Sequence, residues 1–174
     1  MRTHCTLLAL VSCLICHEAA ACSFANAARA FVPSLKSWEQ HPGPGQRGDD
    51  GAYWEEVPAP VVKVVRVTRG TAAPGLTCED AGTLTLELSL PSDSTYDIDE
   101  FGVYFRVIKG AQPDQIFPTH PLVGVVNGKT MTLLLPWLDG SPATQTSLGL
   151  SVEAFLVTND MHIGNPTAFS VSDE

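Results

Sequence analysis

From residue 61 onward, short runs of alternating hydrophobic and polar side chains are separated by turn residues. Leucines occupy every second position from 84 to 90, and the stretch 148–154 has the same alternation. Period-two alternation predicts strands with one buried face and one face in water. Seven strands are expected, at Val61 to Thr68, Gly82 to Leu90, Phe101 to Ile108, Leu122 to Val126, Lys129 to Leu135, Ser147 to Val157 and Pro166 to Val171.

The connections between these segments favour antiparallel pairing. Asn127-Gly128 between two apolar runs predicts a tight hairpin, Asp139 to Pro142 predicts a loop, and Asn159-Asp160 predicts a final hairpin. No ten-residue helical pattern interrupts the strands. The sequence therefore predicts an all-β fold, a two-layer antiparallel β-sandwich of about seven strands.

The end of the chain resembles a known sandwich family. The run from Leu148 to Phe155, with Gly164-Asn165-Pro166 and Phe169 to Val171 after it, is similar to the last two strands of a fibronectin type III domain. Two aromatic hallmarks of that family are replaced here by Leu88 and Leu148. The resemblance covers about two-thirds of the chain and implies a fibronectin type III-like or immunoglobulin-like sandwich. It implies little about function, because this fold hosts many functions.

The N-terminus is typical of a secretory signal peptide. Arg2 is the only charged residue before Glu18, and Leu7 to Cys16 is apolar and too short to span a membrane. We expect residues 1–21 to be removed on export.

Two processing routes remain open at Cys22. Signal peptidase can cleave after the small residues Ala19 to Ala21 and release a soluble protein, which we favour. Alternatively, the same stretch is a loose lipobox, and acylation of Cys22 anchors the protein to a membrane. A second lipobox pattern ends at Cys13, but its apolar run is shorter.

Removal of the leader leaves two of the five cysteines, Cys22 and Cys78. Thiols tend to oxidise outside the cytosol, so a disulfide between them is expected if Cys22 is not acylated. It closes a loop of ~55 residues and contributes about 3 to 4 kcal/mol in the chain-entropy model. No Cys-x-x-Cys remains, which disfavours thiol redox catalysis and zinc fingers.

Residues 22–59 form a Pro/Gly-rich arm or linker before the sandwich domain at 60–174. Phe31, Leu35 and Trp38 have helical spacing, so the arm contains either a short amphipathic turn or a strand-like segment that docks on the domain edge. Whether the arm packs is left open. Arg47-Gly48-Asp49 matches the integrin-binding triplet, but three residues arise often by chance.

Charge narrows the list of partners. The 174 residues carry a net charge of −9, which disfavours nucleic-acid binding and a polybasic membrane patch. No apolar run is long enough for a spanning helix, so membrane attachment requires the N-terminus or lipid. The expected partners are protein or glycan.

The acidic loop after the second predicted strand is the best candidate site. Asp93, Asp97, Asp99 and Glu100 offer oxygen ligands for Ca²⁺, although their spacing is not that of an EF-hand. We favour a solvated loop that caps the sandwich over a cation site.

Other chemistry is sparse. There is no Gly-x-Ser-x-Gly, and His41, His120 and His162 are expected in loops. Metal binding by His120, His162 and Met161 would need them to converge. The aromatic residues Tyr53, Trp54 and Trp137 are either exposed platforms for sugar or peptide, or core residues, and we favour the core.

These observations predict an exported, non-catalytic binding or structural module at the cell surface or in the periplasm, without a cofactor. One alternative is a lipoprotein acylated at Cys22 that acts as an assembly factor. Another is a secreted metal-dependent accessory protein or enzyme that uses the loops around Asp97, Asp99, His120 and His162.

Overall fold

The computed structural model describes residues 24–40, 56–71 and 78–173. They form strands β1 Arg29–Ala30, β2 Val61–Thr68, β3 Ala81–Ser89, β4 Gly102–Lys109, β5 Leu122–Val123, β6 Val125–Asn127, β7 Thr130–Leu138, β8 Gly149–Val157 and β9 Thr167–Ser172, helix α1 Val32–Gln40, and 3₁₀ turns Cys78–Asp80 and Ile98–Glu100. Neither α1 nor the two short turns could cross a membrane.

Two antiparallel sheets make up the fold, in agreement with the predicted all-β sandwich. One sheet has the order β2-β3-β7-β6 and the other the order β1-β5-β4-β8-β9. Alternate side chains of both sheets fill the space between them, as period two requires. Leu84, Leu86 and Leu88 of β3 are fully buried against residues such as Leu133 and Val152. Each buried leucine contributes about 2 kcal/mol of transfer free energy.

The sequence prediction is wrong for the outer face of β8, which it placed in water. Phe155 and Val157 point away from the main core, yet both are fully buried. They belong to a second hydrophobic cluster with Trp38 of helix α1 and with Met161 and Ile163 of the β8–β9 loop. In this cluster the Trp38 and Tyr104 ring centroids lie 4.6 Å apart. Trp38 Nε1 donates a hydrogen bond to the Thr119 carbonyl at 2.6 Å. A dry surface therefore exists on both sides of β8.

Residues 27–40 of the predicted arm pack on the sandwich. The Ala28 N–H donates to the Leu134 carbonyl of β7 at 2.8 Å, and β1 then pairs with β5 of the other sheet. The arm thus closes one open side between the two sheets before α1 begins. The two conformations that the sequence left open, an edge strand and a helical turn, occur one after the other.

The prediction of a single strand from Leu122 to Val126 is wrong, because this segment forms two strands. Gly124 divides it into β5 and β6, which belong to different sheets. A Cβ at position 124 would lie 2.0 Å from the Thr132 carbonyl oxygen, so only glycine fits where the chain crosses between sheets. The other six strands agree with the prediction to within three residues, and the hairpin at Asn127-Gly128 is confirmed, with Gly128 at φ 60°.

Candidate functional site

A groove of about 400 Å³ opens at the end of the sandwich where β3 leads into β4. One wall is the segment that precedes β2, and the other wall is the β3–β4 loop. The lining residues are Glu56, Pro58, Ala59, Pro91, Asp93, Ser94, Thr95 and Tyr96. Elements distant in sequence therefore build one concave surface.

Local hydrogen bonds and one buried anchor hold the β3–β4 loop. The Ser94 N–H donates to the Pro91 carbonyl at 3.0 Å, and the Tyr96 N–H donates to Ser94 Oγ at 3.2 Å. The Asp97 N–H donates to Glu100 Oε1 at 2.8 Å, which starts the 3₁₀ turn Ile98–Glu100. Ile98 is 2% exposed and joins the main core. The loop that carries the acidic residues is thus fixed to the sandwich.

The other wall is held by the β8–β9 loop. Gly164 of that loop packs so closely on the residue between Glu56 and Pro58 that an added Cβ would lie 2.6 Å from Val57 Cγ1. Val57 itself is 6% exposed and belongs to the main core. Both walls of the groove are therefore anchored by buried aliphatic side chains.

Tyr96 is an exposed aromatic residue among the described residues of this site. The residue is 43% exposed, and its ring is nearly perpendicular to the buried Phe101 ring, with the ring centroids 5.7 Å apart. A smaller cavity of about 50 Å³, whose lining includes Asp97 and Lys129, also borders Tyr96. Tyr96 thus lines two depressions and is accessible to a ligand.

The groove has a negative local charge. Glu56 and Asp93 are exposed, and neither belongs to any of the ion pairs found among the described residues. The sequence between Arg69 and Arg106 contains no lysine or arginine. Carboxylates that line the same concave surface concentrate negative electrostatic potential there.

The four predicted acidic residues all lie in this loop and are exposed, at Asp93, Asp97, Asp99 and Glu100. Asp93 lines the groove, Asp97 lines the smaller cavity, and Glu100 is engaged in the 3₁₀ turn. Over residues 24–40, 56–71 and 78–173, no group of three or more His, Cys, Asp or Glu side chains is placed to hold a metal ion.

The remaining predicted residues have different surroundings. His120 and His162 are half-buried in separate loops, whereas Met161 is 6% exposed in the cluster beneath α1. Trp137 is 4% exposed, so the favoured core interpretation is correct and the platform interpretation is wrong. Tyr96, which does have an exposed ring, was not singled out, although its position among polar loop residues was a signal.

A polar cluster that the sequence analysis missed closes the opposite end of the sandwich. The buried Asp139 carboxylate accepts four hydrogen bonds. Arg69 Nε and Nη2 donate two of them at 2.8 and 2.9 Å, the Gly70 N–H donates one at 2.7 Å, and Trp137 Nε1 donates one at 3.1 Å. Arg69 also pairs with Asp173 near the C-terminus. This cluster joins the ends of β2, β7 and β9.

The cluster changes the pKa of each charged member. Burial acts to raise the pKa of Asp139, but hydrogen bonds from Arg69, Gly70 and Trp137 outweigh it and hold that pKa below its ordinary value. The pKa of Asp173 is also lowered. Burial acts to raise it, but the hydrogen bond from the Leu148 N–H and the interaction with Arg69 outweigh that effect. The hydrogen bond to Asp139 raises the pKa of Arg69. All three groups are therefore stabilised in their charged forms.

Cys78 begins the 3₁₀ turn that precedes β3. The other four cysteines precede residue 24 and lie outside the described residues, so its pairing with Cys22 stays a prediction. Also outside them are the signal peptide at 1–21, His41, the triplet Arg47 to Asp49, Tyr53 and Trp54.

Comparison of the chain with protein-family models, with curated proteins and with solved structures finds no match. The groove and the polar cluster are accordingly interpreted from their own chemistry.

Proposed function

We propose that this protein is an exported, non-catalytic binding module that holds its ligand in the groove beside Tyr96, at the cell surface or in the periplasm. One observation carries the proposal. The groove combines an exposed aromatic residue and prolines with two carboxylates that form no ion pair within the described chain. A ring for contact area and a few polar groups for orientation are typical of binding sites.

Strand order supports the fibronectin type III-like or immunoglobulin-like assignment. If β2, β3, β7 and β6 correspond to strands A, B, E and D, the first sheet has the order ABED. In the second sheet, β4, β8 and β9 then correspond to C, F and G. Apart from β5 and β1, which extend this sheet beyond β4, this is the arrangement of constant-type immunoglobulin sandwiches. In that arrangement one wall of the groove is the B–C loop, and the F–G loop packs on Val57 in the other wall. Such loops often carry binding residues in these scaffolds.

The expected disulfide between Cys22 and Cys78 fits a location outside the cytosol, because such bonds persist mainly in oxidising compartments. A partner at Cys22 leaves no thiol there for acylation, so the disulfide and the lipid anchor exclude each other. The soluble form is the one we propose.

Intact-mass analysis of the exported protein tests the location. The full chain with its leader is expressed with a C-terminal tag, and the mature product is purified from outside the cytosol. The expected mass is that of a chain starting at Cys22, less two hydrogens. A mass gain of several hundred daltons would instead establish the acylated lipoprotein, and an uncleaved cytosolic chain would contradict export.

Peptide and glycan arrays test the binding role. Wild-type protein is compared with Tyr96→Ser, which removes the exposed ring, and with Leu138→Ser as the matched control. Leu138 is 63% exposed and lies next to the Asp139 cluster, at the opposite end from the groove. We expect array binding that Tyr96→Ser abolishes and Leu138→Ser retains. Binding that survives Tyr96→Ser unchanged would contradict the proposed site.

A further inference from the structure

We infer that the groove recognises an extended basic peptide segment, with an arginine side chain stacked on Tyr96 and paired with Glu56 and Asp93. This inference rests on the proposed binding function and names its ligand class. It follows from the charge of the groove, from its hydrogen-bonding groups and from its apolar surfaces.

Charge complementarity is the first step. The groove presents Glu56 and Asp93, while the ion pairs of the described chain involve Glu87, Asp139, Asp173 and Glu153 instead. The whole chain is also acidic, with a net charge of −9. A cationic ligand therefore meets a favourable potential both at long range and in the groove.

The hydrogen-bonding inventory of the lining is the second step. Among the described residues of the lining there is no lysine, arginine, histidine, asparagine or glutamine, so their side-chain donors are three hydroxyl groups, on Ser94, Thr95 and Tyr96. The two carboxylates of Glu56 and Asp93 supply only acceptors. A ligand rich in donors and poor in acceptors fits this set, and a guanidinium has five donors and no acceptor. Sugar hydroxyls, which donate and accept alike, match it less well.

The apolar surfaces are the third step. Arginine stacks on aromatic faces and lays its aliphatic stem along apolar groups. The half-exposed ring of Tyr96 supplies the face, and Pro58, Ala59 and Pro91 supply the surface for the stem and for an adjacent proline or backbone. An extended segment matches an open groove better than a folded one does.

Lys129 places a positive charge beside the groove. It lines the smaller cavity, which shares Pro91, Ser94 and Tyr96 with the groove, and a basic side chain of the ligand would be repelled there. Removing this charge should therefore strengthen binding of a basic peptide, a gain that a folding defect cannot imitate.

Fluorescence polarisation with a labelled hexapeptide of alternating proline and arginine tests the inference, with lysine and glutamine analogues as comparisons. We expect the arginine peptide to bind more tightly than the lysine peptide, and the glutamine peptide to bind at least tenfold more weakly than either. Glu56→Gln combined with Asp93→Asn should weaken arginine-peptide binding about tenfold. Lys129→Gln should strengthen it about twofold, and added salt should weaken it.

Glu39→Gln is the matched charge control, since Glu39 is exposed on α1 and does not line the groove. It should bind the arginine peptide as the wild type does. Equal binding of the arginine and glutamine peptides, or an unaffected double variant, would overturn the inference.

Failure of the inference is distinguishable from failure of the proposed function. Array binding to neutral glycans that depends on Tyr96, without binding of the arginine peptide, overturns the basic-peptide ligand and leaves the binding module standing. No Tyr96-dependent binding to either class overturns both.

Discussion

The two ends of the sandwich carry carboxylate side chains in opposite environments. At one end the Asp139 side chain is fully buried and accepts four hydrogen bonds, two of them from Arg69. At the other end Asp93 and Glu56 are exposed and have no ion pair in the described chain. A buried carboxylate is tolerated only when its acceptors are satisfied, whereas exposed carboxylates remain available to a ligand. The difference separates a stabilising end from a recognition end.

The largest expected effect comes from removing the buried carboxylate. Asp139→Ala leaves the buried Gly70 N–H and Trp137 Nε1–H without their acceptor and removes the main partner of Arg69. We expect a loss of about 3 kcal/mol in the free energy of unfolding. Urea unfolding measures it, as a lower midpoint with an unchanged slope.

Asp93→Ala is the comparison at the recognition end and should change the free energy of unfolding by less than about 0.5 kcal/mol. Equal losses for the two variants would contradict the division between a stabilising and a recognition end.

The cluster around Asp139 should also make the stability of the protein depend on pH. The folded pKa values of Asp139 and Asp173 are lowered, so their contribution to stability is fully present above the ordinary aspartate pKa of about 3.9. That contribution is lost as the pH falls through the lower folded values. We expect the free energy of unfolding to decrease below about pH 4.

Asp139→Asn removes one of these titrations and should reduce the difference in unfolding free energy between pH 7 and pH 3 by about 1 kcal/mol. Urea titrations at both pH values measure it, and an equally steep acid loss in Asp139→Asn would assign the acid sensitivity to other groups.

Sequence alternation predicts most strands because a strand's inner face is a local property of every second residue. It failed at Phe155 because the cover of that outward side chain, α1, comes from residues 32–40, more than a hundred positions earlier. It also failed at Gly124, where a close backbone approach divides an otherwise continuous apolar run between two sheets. Both failures concern contacts between distant segments, which period-two patterns do not contain.

The candidate site was predictable only in part, for the same reason. The acidic residues of the β3–β4 loop are clustered in sequence and were found, but the opposite wall at Glu56 to Ala59 belongs to the predicted arm, over thirty residues earlier. Arg69 and Asp139 are seventy positions apart, so neither residue marks the other in sequence. A single arginine or a single aspartate in a loop occurs on the surface of most proteins, so neither residue predicts a buried ion pair.

The smallest expected effect on stability belongs to the groove. Glu56→Gln combined with Asp93→Asn removes two negative charges that line the same groove and form no ion pair in the described chain. Relief of their repulsion should raise the free energy of unfolding by about 0.3 kcal/mol at low salt, and added salt should erase the gain. Thermal unfolding at two ionic strengths measures it, with Glu39→Gln as the charge control.

A loss of more than about 1 kcal/mol in the double variant would mean that these carboxylates hold the loop together. The two carboxylates would then have a structural role, and no ligand would be needed to explain them. A small gain in the free energy of unfolding supports the proposed site instead. It would mean that the two charges reduce the stability of the free protein, a cost that ligand binding explains.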